Sequence, residues 1–85
     1  MKFIHKLEYL IFEILDKQEK IDVTDLSHYL CACTSPSKGV KAYRIVAADI
    51  LEAATNGERL IRHGNGDNKS PERGGFYYTK SLTNN

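Results

Sequence analysis

The side chains able to do chemistry in this sequence are few and scattered. Three histidines, His5, His28 and His63, lie far apart, and none has a carboxylate or nucleophile at a spacing typical of a catalytic site. The sequence contains no H-E-x-x-H, G-x-S-x-G or phosphate-loop motif, and the glycines after His63 follow a predicted strand without opening a helix. We therefore expect a protein that is not an enzyme and that uses neither a metal nor a cofactor.

The cysteines and the hydropathy pattern indicate the compartment. Cys31 and Cys33 are one residue apart, a spacing that rarely reaches disulfide geometry and that differs from the C-x-x-C of redox or zinc sites. No apolar stretch approaches the roughly 20 residues needed to cross a bilayer. Glu8, Glu13 and Asp16 interrupt the N-terminal apolar run at helical spacing, unlike a signal peptide. These features predict a soluble, cytoplasmic protein with no membrane association.

The charges are unevenly distributed along the chain. The net charge is +1 over 85 residues. Residues 1–35 hold four lysines and six acidic residues, whereas residues 36–85 hold eight lysines or arginines and five acidic residues. Any surface that attracts phosphate therefore belongs to the second half of the chain.

Hydrophobic periodicity predicts two helices in the first half. Apolar residues at steps of three and four predict a helix over 2–17, with an apolar face broad enough for a dimer contact. A short β-prone piece over 20–23 follows. Thr24 is then predicted to cap a second helix that runs from Asp25 to about Cys31, because its hydroxyl can accept from the free amides of the first turn. The side chains expected to face the core from this helix are Leu26, Tyr29, Leu30 and Cys33.

A third helix is predicted over 36–55. Ser35 followed by Pro36 is a strong start signal, although Gly39 could delay the regular helix. Gly57 is expected to end it in a left-handed C-cap. The expected buried stripe consists of Val40, Tyr43, Ala47, Ile50, Leu51 and Ala54. The opposite face would carry Lys38, Lys41, Ile45, Ala48, Asp49 and Glu52, with Arg44 on the flank.

The chain closes with a predicted β-hairpin. The hydropathy period changes after Gly57, so 59–63 and 75–80 are predicted strands, joined by a loop rich in Gly, Asn, Asp and Pro over 64–75. Phe76 and Tyr78 should share one face of the sheet, with Tyr77 on the other. The predicted fold class is α+β: three helices followed by a C-terminal hairpin in one domain over 1–80, with a flexible tail over 81–85.

This order of elements resembles the winged helix-turn-helix family. The residues that carry the resemblance are IDVTDLSHYL, the helix that begins at SP and ends in ILEAATNG, and the hairpin RLIRHGNGDNKSPERGGFYYTK, together covering about 3–80. The resemblance implies binding of double-stranded DNA, with the third helix in the major groove and the wing at 64–75 on the backbone or minor groove. Glu58 and Arg59 separate the closing glycine from Leu60, where many family members have no insertion, so a shifted hairpin register is expected.

Two readings of the polar residues remain open. In the first, the chain is a small transcriptional regulator or architectural protein. Its serine hydroxyls then contact phosphate, its lysine and arginine side chains contact phosphate or guanine, and Ile45 contacts a thymine methyl group. The alternative is a protein-interaction module that docks on a larger complex, because Asp49 and Glu52 share the face of the lysines and fold alone does not fix function. The predicted DNA contacts are Ser35, Ser37, Lys38, Lys41, Arg44, Ile45, Arg62, Lys69 and Arg73.

Overall fold

A computed structural model of the chain describes residues 7–34, 36–64 and 75–82. These residues form three α-helices, two 3₁₀ turns and a two-stranded antiparallel sheet, and none of the described helices is long and apolar enough to cross a membrane. The predicted α+β class is confirmed, and the arrangement matches a winged-helix topology. In chain order the elements are α1 (Tyr9–Leu15), α2 (Val23–Cys33), 3₁₀ turns at Pro36–Lys38 and Val40–Tyr43, α3 (Arg44–Asn56), β1 (Leu60–His63) and β2 (Tyr77–Lys80).

One hydrophobic core holds these elements together. Each helix contributes the side chains of one face, and the hairpin adds Leu60 and Tyr78. Burial of such side chains is worth about 1.5–3 kcal/mol each, so the helix faces determine how the elements pack. The buried cluster consists of Leu10, Ile11, Ile21, Val23, Leu26, Leu30, Ala47, Ala48, Ile50, Leu51, Ala54, Leu60 and Tyr78.

Helix α2 starts earlier than the sequence predicted. Its N-cap is Asp22, not Thr24: Asp22 has an extended backbone, and its Oδ1 accepts from the Asp25 amide at 2.8 Å. Asp25 Oδ2 in turn accepts from the Asp22 amide at 3.1 Å, which completes a capping box. The inward face is also different at its end, because Cys31 is buried whereas Cys33 is exposed.

The predicted third helix is continuous only in its second half. Gly39 adopts φ 85°, a backbone conformation that no helix contains, so 36–43 forms two short 3₁₀ turns and α3 begins at Arg44. Four residues of the predicted stripe, Ala47, Ile50, Leu51 and Ala54, are buried as expected, whereas Val40 and Tyr43 in the second 3₁₀ turn are only half-buried. Ala48 was expected on the exposed face, but it is 4% exposed and belongs to the core.

The left-handed residue that ends α3 is Glu58, not Gly57 as the sequence predicted. Gly57 has φ −84°, and Glu58 takes the left-handed conformation at φ 64°. The Arg59 amide then donates to the Ala54 carbonyl at 2.9 Å, which satisfies one of the terminal carbonyls of the helix. Glu58 and Arg59 therefore form the turn between α3 and the hairpin, and β1 begins at Leu60.

The hairpin pairs Leu60 with Lys80 and His63 with Tyr77. The segment between α1 and α2 joins the same sheet: the Ile21 amide donates to the Tyr78 carbonyl at 3.0 Å, and the Tyr78 amide donates to the Ile21 carbonyl at 2.8 Å. The predicted faces are confirmed, since Tyr78 is 1% exposed and Tyr77 is 39% exposed. The expected domain and tail extend into 1–6, 65–74 and 83–85, which lie outside the described residues.

Candidate nucleic-acid interface

The N-terminal approach to α3 presents two lysines and one apolar side chain. Lys38 ends the first 3₁₀ turn and Lys41 lies in the second, and both are exposed, as is Ser37. Ile45, in the first turn of α3, is 66% exposed. The break at Gly39 places the two lysines on short turns before the helix, so the predicted basic residues lie at the N-terminal entrance of α3 and not along the helix.

Along the exposed face of α3, an apolar residue at the N-terminal end is followed by acidic residues. Ile45, Asp49, Glu52 and Asn56 recur at steps of four, three and four, which places them in one row along the helix. Asp49 is exposed and lies about 6 Å further along the axis than Ile45. A phosphate backbone lying along the whole helix would meet this carboxylate, whereas one approaching the N-terminal end would not.

Arg44 stabilises the contact between two helices. Its Nη1 donates to Thr24 Oγ1 at 3.2 Å, and the side chain is half-buried. Thr24, predicted as the cap of α2, thus accepts a hydrogen bond from α3 instead of capping its own helix. The pair fixes the start of α3 against the start of α2, which positions the adjacent lysines.

Arg62 joins the hairpin to α3. Its Nη2 lies 3.3 Å from Glu52 Oε2, and its Cζ lies 5.1 Å from the Phe76 ring centroid and 5.8 Å from that of Tyr78. Burial is the main cause that raises the pKa of the Tyr78 hydroxyl, and the guanidinium opposes that shift. Because Arg62 pairs with Glu52, one of the two carboxylates on the α3 row already has a counter-ion.

The outer face of the hairpin carries an ordered stack that sequence reasoning did not identify. His63 and Tyr77 are cross-strand partners whose rings stack at 4.8 Å with planes 10° apart, and His63 Nε2 is 2.8 Å from Thr79 Oγ1. Lys20 places its Nζ 4.8 Å from the centroid of the Tyr77 ring. Lys20 comes from the segment before α2, and no local pattern indicates that it reaches the hairpin.

The structure brings part of the predicted site together. Ser37, Lys38, Lys41 and Ile45 share the entrance of α3, while Arg44 and Arg62 are engaged in contacts between elements. Ser35, Lys69 and Arg73, including the predicted wing contacts, lie outside the described residues. Within 7–34, 36–64 and 75–82, no three His, Cys, Asp or Glu side chains are grouped as the ligands of a metal ion would be.

The class of protein that the fold defines is a small α+β domain with winged-helix topology. The three helices, the strand pairing of Ile21 with Tyr78 and the terminal hairpin are its defining features. No protein-family model, curated protein or solved structure matches the chain.

Proposed function

We propose that the chain is a winged helix-turn-helix protein of the cytoplasm that binds double-stranded DNA as a small transcriptional regulator or architectural protein. The observation that carries the proposal is the exposed group of Lys38, Lys41 and Ile45 at the entrance of α3 in a domain of this topology. In helix-turn-helix docking, the N-terminal residues of the recognition helix meet the base edges. The wing over 64–75 would add contacts to the backbone.

The approach to DNA is end-on. Lys38 and Lys41 precede α3, where the amides of its first turn also favour negative charge. Asp49 lies further along the helix, away from a backbone held at that end. Arg44 and Arg62 serve the interface indirectly, because their contacts to Thr24 and Glu52 hold the helix and the hairpin in place.

The test is fluorescence anisotropy with labelled, mixed-sequence duplexes over a range of salt concentrations. Lys38→Gln combined with Lys41→Gln should weaken binding and reduce the slope of log affinity against log salt by about 2, because each phosphate contact contributes about 0.9. The matched control is Lys17→Gln with Lys20→Gln, which removes the same charge outside α3 and the turns that precede it. Wild-type protein that does not bind DNA at low salt, or an equal loss in both double variants, would refute the proposal.

A protein-interaction module is the second candidate. It is favoured by the exposure of Ile45, which is 66%, beside the exposed Ala42 and the carboxylate of Asp49. Ile45→Ser removes the apolar contact without changing charge. If Ile45→Ser abolishes capture of a protein partner while Lys38→Glu with Lys41→Glu leaves DNA binding at the wild-type level, the second function is correct.

A homodimer through the first helix is a separate part of the proposal. Tyr9 on α1 is 58% exposed, although Leu10 and Ile11 of the same helix are committed to the core of the chain. Sedimentation equilibrium of the wild type and of Tyr9→Glu tests it. A dimer that the substitution converts to monomer supports the contact, and a wild-type monomer at high concentration excludes it.

A further inference from the structure

Helix α3 exposes a single row of side chains. Of its 13 residues, Ile45, Asp49 and Asn56 are exposed, and the others are buried or half-buried. At a rise of about 1.5 Å per residue, Asp49 lies about 6 Å beyond Ile45, and Asn56 lies about 10 Å beyond Asp49. A surface that covers the N-terminal half of α3 therefore meets one apolar side chain and then one carboxylate.

The carboxylate of Asp49 has no counter-ion among the described residues. Glu52 Oε2, on the same side of the helix, lies 3.3 Å from Arg62 Nη2, whereas none of the described lysines, arginines or histidines forms an ion pair with Asp49. An ionised carboxylate only accepts hydrogen bonds. Taking it out of water without a donor is costly, so a partner that covers Asp49 has to supply an N–H or O–H group there.

The spacing of the row fits the base edges of duplex DNA. In the end-on approach, Lys38 and Lys41 meet the phosphates before the helix begins, and Asp49 lies one turn beyond Ile45. Recognition helices that enter the major groove at an angle contact successive bases with side chains three or four residues apart. The step of about 6 Å from Ile45 to Asp49 corresponds to about two base-pair rises of about 3.4 Å. In this approach Asp49 faces a base edge and not a phosphate.

Cytosine is the base whose major-groove edge suits a carboxylate. Its N4 amino group is a donor, and no acceptor of the same base lies beside it in the groove. Adenine has a donor at N6, but its N7 acceptor is next to it and repels a carboxylate, while guanine and thymine present only acceptors. At these three bases Asp49 would lose water without gaining an unopposed donor, so it discriminates by rejection as well as by attraction.

We infer that Asp49 is a specificity-determining residue, which selects a cytosine in the bound duplex by accepting a hydrogen bond from its N4 amino group. This cytosine lies about two base pairs from the base that Ile45 contacts. The cytosine preference rests on the proposed function, because it names the DNA that the same interface prefers. A duplex with cytosine at this position binds about tenfold more tightly than one with thymine there.

The first test is selection of duplexes from a random pool by the full chain, followed by sequencing. The wild type should enrich cytosine at one position by about tenfold. Asp49→Asn removes the charge, keeps the size of the side chain and should shift that position to adenine, whose N6 and N7 pair with an amide. The matched control, Asp16→Asn, removes one exposed carboxylate at the end of α1 and should leave the preference unchanged.

The second test probes the amino group itself, with N4-methylcytosine at the selected position of a defined duplex. This base still pairs with guanine, but a methyl group replaces the amino hydrogen that faces the major groove. Anisotropy titrations should show about tenfold weaker binding of the wild type and a change of less than about twofold for Asp49→Asn. Far-UV circular dichroism checks that each variant folds.

The possible results distinguish this inference from DNA binding as such. A wild type that binds no duplex at low salt overturns both. Binding of DNA without a preference for cytosine, or a preference that Asp49→Asn retains, overturns the role of Asp49 and leaves DNA binding intact. An equal loss on N4-methylcytosine in the wild type and in Asp49→Asn also excludes the contact.

Discussion

Arg59 and Glu8 are 51 residues apart in sequence and form an ion pair at the edge of the core. Arg59 Nε donates to Glu8 Oε1 at 2.6 Å, and Nη2 lies 2.6 Å from the same oxygen. Glu8 is 6% exposed, whereas the Arg59 side chain is 35% exposed. The pair joins the start of α1 to the turn that precedes the hairpin.

Replacing Arg59 alone should lower the free energy of unfolding by more than replacing both Arg59 and Glu8. Arg59→Ala leaves the Glu8 carboxylate buried without its cation, and we expect a loss of about 1–3 kcal/mol, reduced from the value for a fully buried pair because Arg59 is partly exposed. Chemical denaturation of Arg59→Ala, Glu8→Ala and the double variant gives the coupling energy. Additive losses in this cycle would show that the pair does not interact.

Glu58→Gly should stabilise the fold. Glu58 has φ 64°, a conformation that costs a residue with a Cβ about 1 kcal/mol and costs glycine little. We expect a gain of about 0.5–1 kcal/mol, which is roughly 2–8 °C in Tm for a domain of this size. Glu58→Ala is the control: it removes the same carboxylate but keeps the strain, so its Tm should stay near that of the wild type. A similar rise in both variants would assign the effect to the charge.

Asp22→Ala should destabilise α2 by about 1 kcal/mol, because it removes the acceptor of the Asp25 amide and opens the capping box. Glu19→Ala removes the same charge at an exposed position between α1 and α2 and should change stability by less than about 0.5 kcal/mol. Thermal unfolding followed by circular dichroism measures both. Equal effects would mean that charge, and not the cap, is responsible.

Tyr29 should ionise late in an alkaline titration. The hydrogen bond to Glu13 is the largest cause that raises its pKa from 10.0 to about 12. The folded state holds this proton more tightly than the unfolded state, so the contribution to stability is present below pH 10 and is lost as the pH rises through 12.

The check on Tyr29 is site-resolved. Tyrosine ring resonances followed by NMR from pH 8 to 12.5 separate Tyr29 from Tyr78, whose pKa is also raised, chiefly by burial. Glu13→Gln should lower the Tyr29 pKa towards 10 and leave that of Tyr78 in place. An unchanged Tyr29 titration in Glu13→Gln would exclude the carboxylate as the cause.

Much of the fold can be predicted from the spacing of the hydrophobic residues along the sequence. The steps of three and four in α1, α2 and the second half of α3 predict which faces are buried, and the two-residue alternation at Tyr77 and Tyr78 predicts the faces of the hairpin. The errors fall at the ends of elements. Asp22 and Thr24 are both good caps, and which of them is used depends on where the buried face of the helix has to begin, at Val23.

Other differences depend on tertiary contacts that local patterns do not contain. Arg44 and Arg62 are ordinary cations in the sequence, and their engagement with Thr24 and Glu52 depends on how the helices and hairpin pack. The same holds for Lys20 over Tyr77. The exposure of Lys38 and Lys41 could therefore be predicted from their local sequence, whereas a contact in which a side chain spans two elements could not.

The bridge between Ile21 and Tyr78 has a consequence for how the domain opens. Its two reciprocal hydrogen bonds link a segment near the start of the chain to the last strand, across a core in which both residues are at most 1% exposed. Neither amide can exchange while this pairing is closed, and opening it withdraws two fully buried side chains from the core. Both should exchange with deuterium at the rate of global unfolding, and a fragment that ends before Tyr77 should not fold independently.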